Sequence, residues 1–208
     1  MGTLGESVLG AGKDVQNLVG IFVGTGIGGG VILDGKLLHG ASKTAGEVGH
    51  MIIKADGPKC GCGNRGCLEA VASRTAIARQ LRKAILKKKK KSILLKLNGG
   101  SLKQIRSGAL AKAVDRGDKL VLKVMRRATK YLGISVASIV HLLNPEMVVL
   151  GGGVVEAIGD DFVEDIRRVA MKYALPNTMN GVKVVPAELG DNAGIIGAAV
   201  LARQNIRD

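Results

Sequence analysis

Gly46-Glu47-Val48-Gly49-His50, nine residues, Cys60-Gly61-Cys62, four residues, Cys67-Leu68-Glu69: this stretch holds one of the three histidines and all three cysteines of the chain. One imidazole and three thiolates form a complete tetrahedral donor set, the usual composition of a structural zinc site. An odd cysteine count speaks against a disulfide framework. Cys60 and Cys62 stand too close in sequence for an unstrained bridge, and no Cys-x-x-Cys redox pair is present. Gly61, Gly63 and Gly66 let the backbone turn tightly around an ion. The expected metal ligands are therefore His50, Cys60, Cys62 and Cys67. A closed set of four leaves no open position, so the zinc is expected to hold a loop rather than activate water.

Two carboxylates, Glu47 and Glu69, bracket this loop. A metal that pins the loop also pins both acids and the second nitrogen of His50, which metal-bound histidines usually give to an oxygen partner. Two fixed acceptors and a fixed donor suit a polyhydroxylated ligand. Glu69 equally suits the first turn of a helix, where acidic side chains are favoured. The residues alone leave both readings open.

Upstream, Leu18 to Val23 reads as a short buried strand. It runs into Gly24-Thr25-Gly26-Ile27-Gly28-Gly29-Gly30, followed by a strand Val31-Ile32-Leu33, a tight turn Asp34-Gly35 and a strand Lys36 to Leu38. Gly24, Gly26 and Gly29 match Gly-x-Gly-x-x-Gly, but that pattern signifies dinucleotide binding only when a helix follows. Here a strand follows, which excludes the dinucleotide reading. A glycine hairpin can still cradle phosphate with bare backbone amides, and Thr25 adds a hydroxyl.

Downstream, the pattern predicts a helix over Ser73 to Lys91 with Ser73 as its cap. A break falls at Asn98-Gly99-Gly100, and a second helical patch covers Ser101 to Asp115. The strongest helix runs from Asp118 to Leu143, with Leu120, Val121, Val124, Ala128, Leu132 and Val136 at helical spacing, and Asn144-Pro145 ends it. Met147 to Leu150 is a buried strand entering Gly151-Gly152-Gly153. An amphipathic helix over Asp160 to Tyr173, a strand over Val182 to Val185 and a last helix over Ile195 to Arg203 complete the order. This alternation predicts an α/β domain, with ligand binding at strand ends such as Gly151 to Gly153. His39 is expected in a loop, and His141 against the packing of the long helix.

The length of 208 residues suits one large domain. No apolar run approaches the ~20 residues of a membrane span. The N-terminus lacks a basic segment followed by an apolar one, and reduced cysteines without an export signal point to the cytoplasm. The net charge of +14 is concentrated over Arg79 to Lys103, around the run Lys87 to Lys91. No aromatic residue interleaves with these lysines, which speaks for a solvated helix end and against nucleic acid.

The glycine run Gly24 to Gly30, Ala45 to His50, Cys60 to Glu69, Asn144-Pro145-Glu146, Gly151 to Gly153 and Asp191-Asn192-Ala193-Gly194-Ile195-Ile196-Gly197-Ala198-Ala199 together resemble the ROK family of repressors, open reading frames and sugar kinases. The likeness extends from about Leu4 to Leu201. It implies an actin-like ATPase (ribonuclease H-like) fold and phosphoryl transfer from Mg-ATP to a hexose, with glucose first among acceptors and N-acetylhexosamine or fructose as alternatives. It implies sugar contacts from Glu47, His50 and Glu69, and phosphate contacts from Gly24, Thr25, Gly26, Gly28 and Gly29. Gly151, Gly152 and Gly153 would lie near adenosine. Family members are often dimers or tetramers. Two family motifs are absent: an N-terminal Asp-x-Gly-Gly-Thr, and an Asn-Asp-Ala-Asn whose Asp is the catalytic base. The second normally precedes the equivalent of Leu4, so residues 1–208 are expected to be the large C-terminal domain of a longer kinase and inactive alone. A sugar-sensing repressor of the same family is the alternative, and polyphosphate is a further candidate donor.

Overall fold

The apolar run Leu18–Val23 (β1) is the central strand of a five-stranded sheet in the computed structural model, which describes residues 1–205. Ile27–Leu33 (β2) pairs antiparallel with β1, and Lys36–Leu37 (β3) pairs antiparallel with β2. Met147–Gly151 (β4) lies parallel to β1 on its other side, and Lys183–Pro186 (β5) lies parallel to β4. The order is β3-β2-β1-β4-β5. Around it stand α1 (Gly2–Leu9), α2 (Leu68–Ala72), α3 (Arg74–Arg82), α4 (Leu94–Leu97), α5 (Ser107–Asp115), α6 (Lys119–Leu143), α7 (Gly153–Ile158), α8 (Asp160–Tyr173) and α9 (Ala193–Asn205).

Side chains alternate across a strand, so both faces of the central strands are apolar and both are covered. Val19, Ile21, Val23, Val148 and Leu150 enter the larger core with Leu81, Leu110, Leu132, Val136 and Ile166 from the helices. Leu18, Ile32, Met147 and Val149 enter a smaller core with Leu4 of α1 and Val200 and Leu201 of α9. Gly20 and Gly30 face each other across the β1–β2 ladder. A Cβ on either would run into the Thr3 side chain, so the two glycines let α1 lie directly on the sheet.

The strongest sequence pattern gives the longest element. α6 has 25 residues, about 37 Å at 1.5 Å per residue, and twelve of its residues are buried. Asp118 caps it: Oδ1 accepts from the amides of Leu120 (2.9 Å) and Val121 (3.1 Å). Its Oδ2 accepts from the Ser92 hydroxyl (2.7 Å) and the Ile93 amide (2.8 Å), tying the segment before α4 to the same carboxylate. Burial pushes the Asp118 carboxyl up. The hydrogen bonds, led by Ser92, outweigh that and hold it below the ordinary value. Asn144 takes a left-handed conformation (φ 43°) and Pro145 follows, as the sequence predicts for the helix end.

Several boundaries differ from the sequence reading. The glycine run is not a seven-residue loop: Gly28, Gly29 and Gly30 pair with Phe22, Ile21 and Gly20 as strand β2, leaving Gly24 to Gly26 as the turn. The helix expected over Ser73 to Lys91 stops at Arg82, widens into one π-helical turn over Lys83–Lys87 and ends. That turn buries no side chain fully and only half-buried Ile85 packs against the core, which leaves little to offset the repulsion of the consecutive lysines that follow. The patch expected over Ser101 to Asp115 is helical only from Ser107. The third strand ends at Leu37, one residue early. The last strand is shifted to Lys183–Pro186, and the last helix is longer at both ends than Ile195 to Arg203. α1, α4 and α7 were not anticipated. His141 does not face the packing of the long helix: it is exposed, and its Nε2 accepts from the Leu175 amide at 2.9 Å.

Candidate functional site

β1 has an antiparallel neighbour on one side and a parallel neighbour on the other. Its C-terminal end is therefore where connections diverge, the place open α/β sheets leave for ligands. Both glycine motifs meet there. The turn Gly24 to Gly26 follows β1, and Gly151 ends β4 opposite Phe22. Gly152 has φ 86°, and a Cβ on it would lie 2.8 Å from the Val23 backbone nitrogen, so only glycine lets the two strand ends approach. Gly153 then opens α7. A Cβ at Gly24 or Gly28 would meet nothing within 4 Å, so these positions face open space. The Ser107 hydroxyl is buried with no hydrogen-bond partner among the described residues, 3.8 Å from where a Cβ on Gly153 would stand.

The turn is gripped by α2 and α3. Glu69 Oε2 accepts from the Ile27 amide at 3.0 Å. The Arg74 amide donates to Gly24 O (3.0 Å), and the Thr75 hydroxyl donates to Thr25 O (2.7 Å). Arg74 Nη2 donates to Thr25 Oγ1 at 2.6 Å, which leaves the hydroxyl proton of Thr25 available to a ligand oxygen. Ser73 caps α3 as predicted, its Oγ accepting from the Ala76 amide at 3.1 Å. Glu69 lies in the first turn of α2, as the helix reading has it, and its carboxylate also holds the glycine turn.

The cysteine–histidine loop lies beside this turn. The ligand atoms of His50, Cys60, Cys62 and Cys67 all fall within 4.8 Å of one another. Cys62 Sγ and Cys67 Sγ are 3.7 Å apart, and Cys60 Sγ is 3.8 Å from His50 Nδ1. Four ligands placed tetrahedrally about 2.3 Å from a zinc ion stand about 3.8 Å from one another, so the donor set fits. Burial, and then the neighbouring Cys62 and Cys60 thiols, push the Cys67 thiol up to about 12. The Asn64 backbone amide holds Cys62 below its ordinary value. A buried thiol of this kind ionises readily only beside a cation. The loop is otherwise tied by short bridges between Ile52 and Cys67 and between Lys59 and Arg65.

Of the residues expected at a sugar site, Glu47 and His50 come together, with His50 Nε2 3.9 Å from Glu47 Oε2. The imidazole thus turns Nδ1 to the thiols and Nε2 to the acid. Glu69 lies on the other side of the thiols, Oε1 3.7 Å from Cys60 Sγ. A cavity of about 360 Å³ between the glycine turn and the loop is lined by Gly26, Cys60 and Glu69, but not by Glu47 or His50.

Two features escaped the sequence reading. Glu6 is fully buried, and its carboxylate accepts from the amides of Ala11 (2.9 Å), Glu188 (3.2 Å) and Leu189 (2.9 Å), fastening α1 to the approach to α9. A larger cavity, about 520 Å³, opens beside Thr25 between α3 and residues 103–106. In the sequence its lining showed only as basic residues scattered through the positive stretch.

The ROK family profile matches residues 1–205. The chain belongs to the ROK family. This ROK chain is 40% identical over 203 residues to the glucokinase of Thermotoga maritima, covering 98% of this chain and 63% of that protein. It is 32% identical over 207 residues to the xylose repressor of Bacillus spizizenii, covering 100% of this chain and 49% of the repressor. The crystal structure of a ROK family glucokinase from Streptomyces griseus in complex with glucose and AMPPNP matches with a TM-score of 0.86 at 33% identity. That match covers 97% of this chain and 65% of that one. The chain therefore spans about half to two thirds of the length of these relatives, and its sheet is the actin-like ATPase fold expected of the family. Among the described residues, no helix is long and apolar enough to cross a membrane.

Proposed function

We propose that this chain is the large C-terminal domain of an ATP-dependent hexose kinase, with glucose as the favoured acceptor. One observation carries the reading: the turn Gly24 to Gly26, the strand end Gly151 to Gly153 and the loop carboxylate Glu69 converge at one end of the sheet. The similarity to glucokinases supports it.

In this reading Thr25 donates its free hydroxyl proton to a phosphate oxygen, Gly24 and Gly28 keep that surface open to Mg-ATP, and Gly26 and Gly29 complete the phosphate-binding turn by leaving room for Glu69 and Val48 behind it. Phosphoryl transfer depends mainly on such positioning and charge stabilisation. The unpartnered Ser107 hydroxyl beside Gly153 offers a contact to adenosine near Gly151, Gly152 and Gly153. Glu47, His50 and Glu69 orient the sugar hydroxyls. His50, Cys60, Cys62 and Cys67 hold zinc, which supplies rigidity to the loop rather than chemistry. The carboxylate that takes the sugar proton comes from a segment preceding Leu4. A sugar-responsive repressor is the second reading, favoured by the similarity to the xylose repressor over the whole chain.

The test is a coupled ADP-release assay with Mg-ATP over a panel of hexoses, on this chain and on a version extended to the upstream start of its gene. Turnover by the extended protein, with none by residues 1–208, supports the kinase domain. Full turnover by residues 1–208 refutes the assignment of the base. Absence of turnover in both, with saturable sugar binding, favours the repressor.

A further inference from the structure

From Ala70 to Val114 the chain carries thirteen lysines and arginines and no aspartate or glutamate. None of these cations takes part in an ion pair among the described residues. The charge is densest at Lys87 to Lys91, five consecutive exposed residues that run on from the π-helical turn. Like charges this close repel, so other bonds must hold the loop they form. The amides of Lys88 and Lys90 donate back to Lys83 O (3.2 Å) and Ala84 O (3.0 Å). At the far end the Ser92 hydroxyl and the Ile93 amide are held by Asp118. The lysine loop is thus anchored on both sides and projects outward between them.

Apolar side chains stand beside it. Leu86 (54%), Ile93 (40%) and Leu95 (42%) are exposed on the two flanks of the lysine run. Leu86 and Leu95 line one hollow of about 410 Å³ together with Leu102, Arg82 and Lys103. The chain therefore leaves that hollow at Leu86, carries five lysines, and returns to it at Leu95. An apolar side chain exposed singly is ordinary. Three that bracket a lysine run match a partner with an acidic layer and an apolar layer side by side.

We propose that residues 82–103 dock on an anionic lipid surface, with Lys87 to Lys91 among the headgroups and Leu86, Ile93 and Leu95 in the acyl boundary below them. In a bilayer those two layers lie within about 5–10 Å of each other. Each lysine held near an acidic leaflet strengthens binding about fivefold. A nucleic acid offers the charge without the apolar layer, and single strands are held by aromatic stacking as well. Residues 70–114 contain no aromatic side chain. The chain would lie on the leaflet without crossing it, since no described helix is long and apolar enough to span. The surface rests on charge and exposure alone, so it stands whether or not the kinase reading holds.

The test is co-sedimentation of the full 208-residue chain with vesicles of phosphatidylcholine alone and of phosphatidylcholine mixed with phosphatidylglycerol, at low and at physiological salt. The wild type is compared with Lys88→Gln/Lys90→Gln/Lys91→Gln and with Leu86→Ser/Leu95→Ser. Thermal melting is the control for folding, and polyglutamate and oligo-dT are the soluble polyanions. Binding to the acidic vesicles is expected at least about tenfold tighter than to the neutral ones, falling as salt rises. The lysine variant should lose at least about tenfold of it, and the leucine variant at least about threefold. Absence of binding to acidic vesicles, equal binding to neutral ones, or a folded lysine variant that binds like the wild type overturns the proposal. Undiminished vesicle binding by the folded leucine variant, or binding of polyglutamate or oligo-dT as tightly as vesicles, makes this a general polyanion surface and overturns the lipid assignment.

Discussion

Removing the metal from the His50–Cys67 loop should cost the fold a definite and measurable amount. A metal joining His50 to Cys67 closes a loop of 18 residues, and cross-link entropy for that length is about 3 kcal/mol. Besides the metal, the loop is held by two isolated bridges, several backbone hydrogen bonds, the Arg65 bond to Gly57 O, a small apolar cluster of Cys60, Cys67 and Ala70, and Met51 and Ile53 packed against the main core. For a domain of this size about 3 kcal/mol corresponds to a fall in melting temperature of roughly 6–12 °C. The chain should carry one zinc per molecule by elemental analysis. Scanning calorimetry before and after dialysis against a strong chelator should show that fall, with recovery on adding zinc. Cys67→Ala should melt near the chelated wild type and ignore the chelator. A chain purified without metal, or a chelator effect under about 2 °C, refutes the reasoning.

Asp118→Ala should destabilise by about 2–4 kcal/mol in urea titrations, combining a lost helix cap with two lost ties to residues 92–93. Because the folded carboxyl titrates below its ordinary value of 3.8, its contribution is complete above that value and disappears as pH falls through the folded one. Asp118→Asn should therefore flatten the loss of stability below about pH 4; an unchanged slope contradicts this. Gly26→Ala puts a Cβ against the Glu69 carboxylate, and should cost about 1–3 kcal/mol by displacing the bond to the Ile27 amide. In the Glu69→Ala background that cost should shrink by at least about 0.5 kcal/mol, and simple additivity would show that the two do not interact. Ser73→Ala should cost about 1 kcal/mol, read from the urea midpoint, and no change would mean that the cap is idle.

What could be read from the sequence was what is local in it. The cluster of His50 with the three cysteines, the capping Ser73, the long helix and its Asn144-Pro145 end all depend on spacing within a few turns of chain. The structure brings the four ligand atoms together as their spacing implied. The glycine run misled because pairing with β1, not composition, decides where a turn stops, and Gly28 to Gly30 have partners waiting in Phe22, Ile21 and Gly20. α1 was invisible because its glycines and small residues make sense only against the sheet and α9. Glu6 illustrates the limit: two of its three amide donors lie more than 180 residues away. The basic cavity likewise joins α3 to residues 103–106, about twenty positions apart in sequence, as the Arg82 bonds to Leu102 and Lys103 show.

The two outer strands have a consequence for how copies of this chain meet. A sheet with a long bare edge invites another strand to add to it. Here one edge is β3, only two residues long. The other is β5, four residues that begin with exposed Lys183 and end in Pro186, which has no amide to give. Neither edge offers a template for continued pairing, so self-association of this chain would run through helix faces, with side chains rather than backbone setting its specificity.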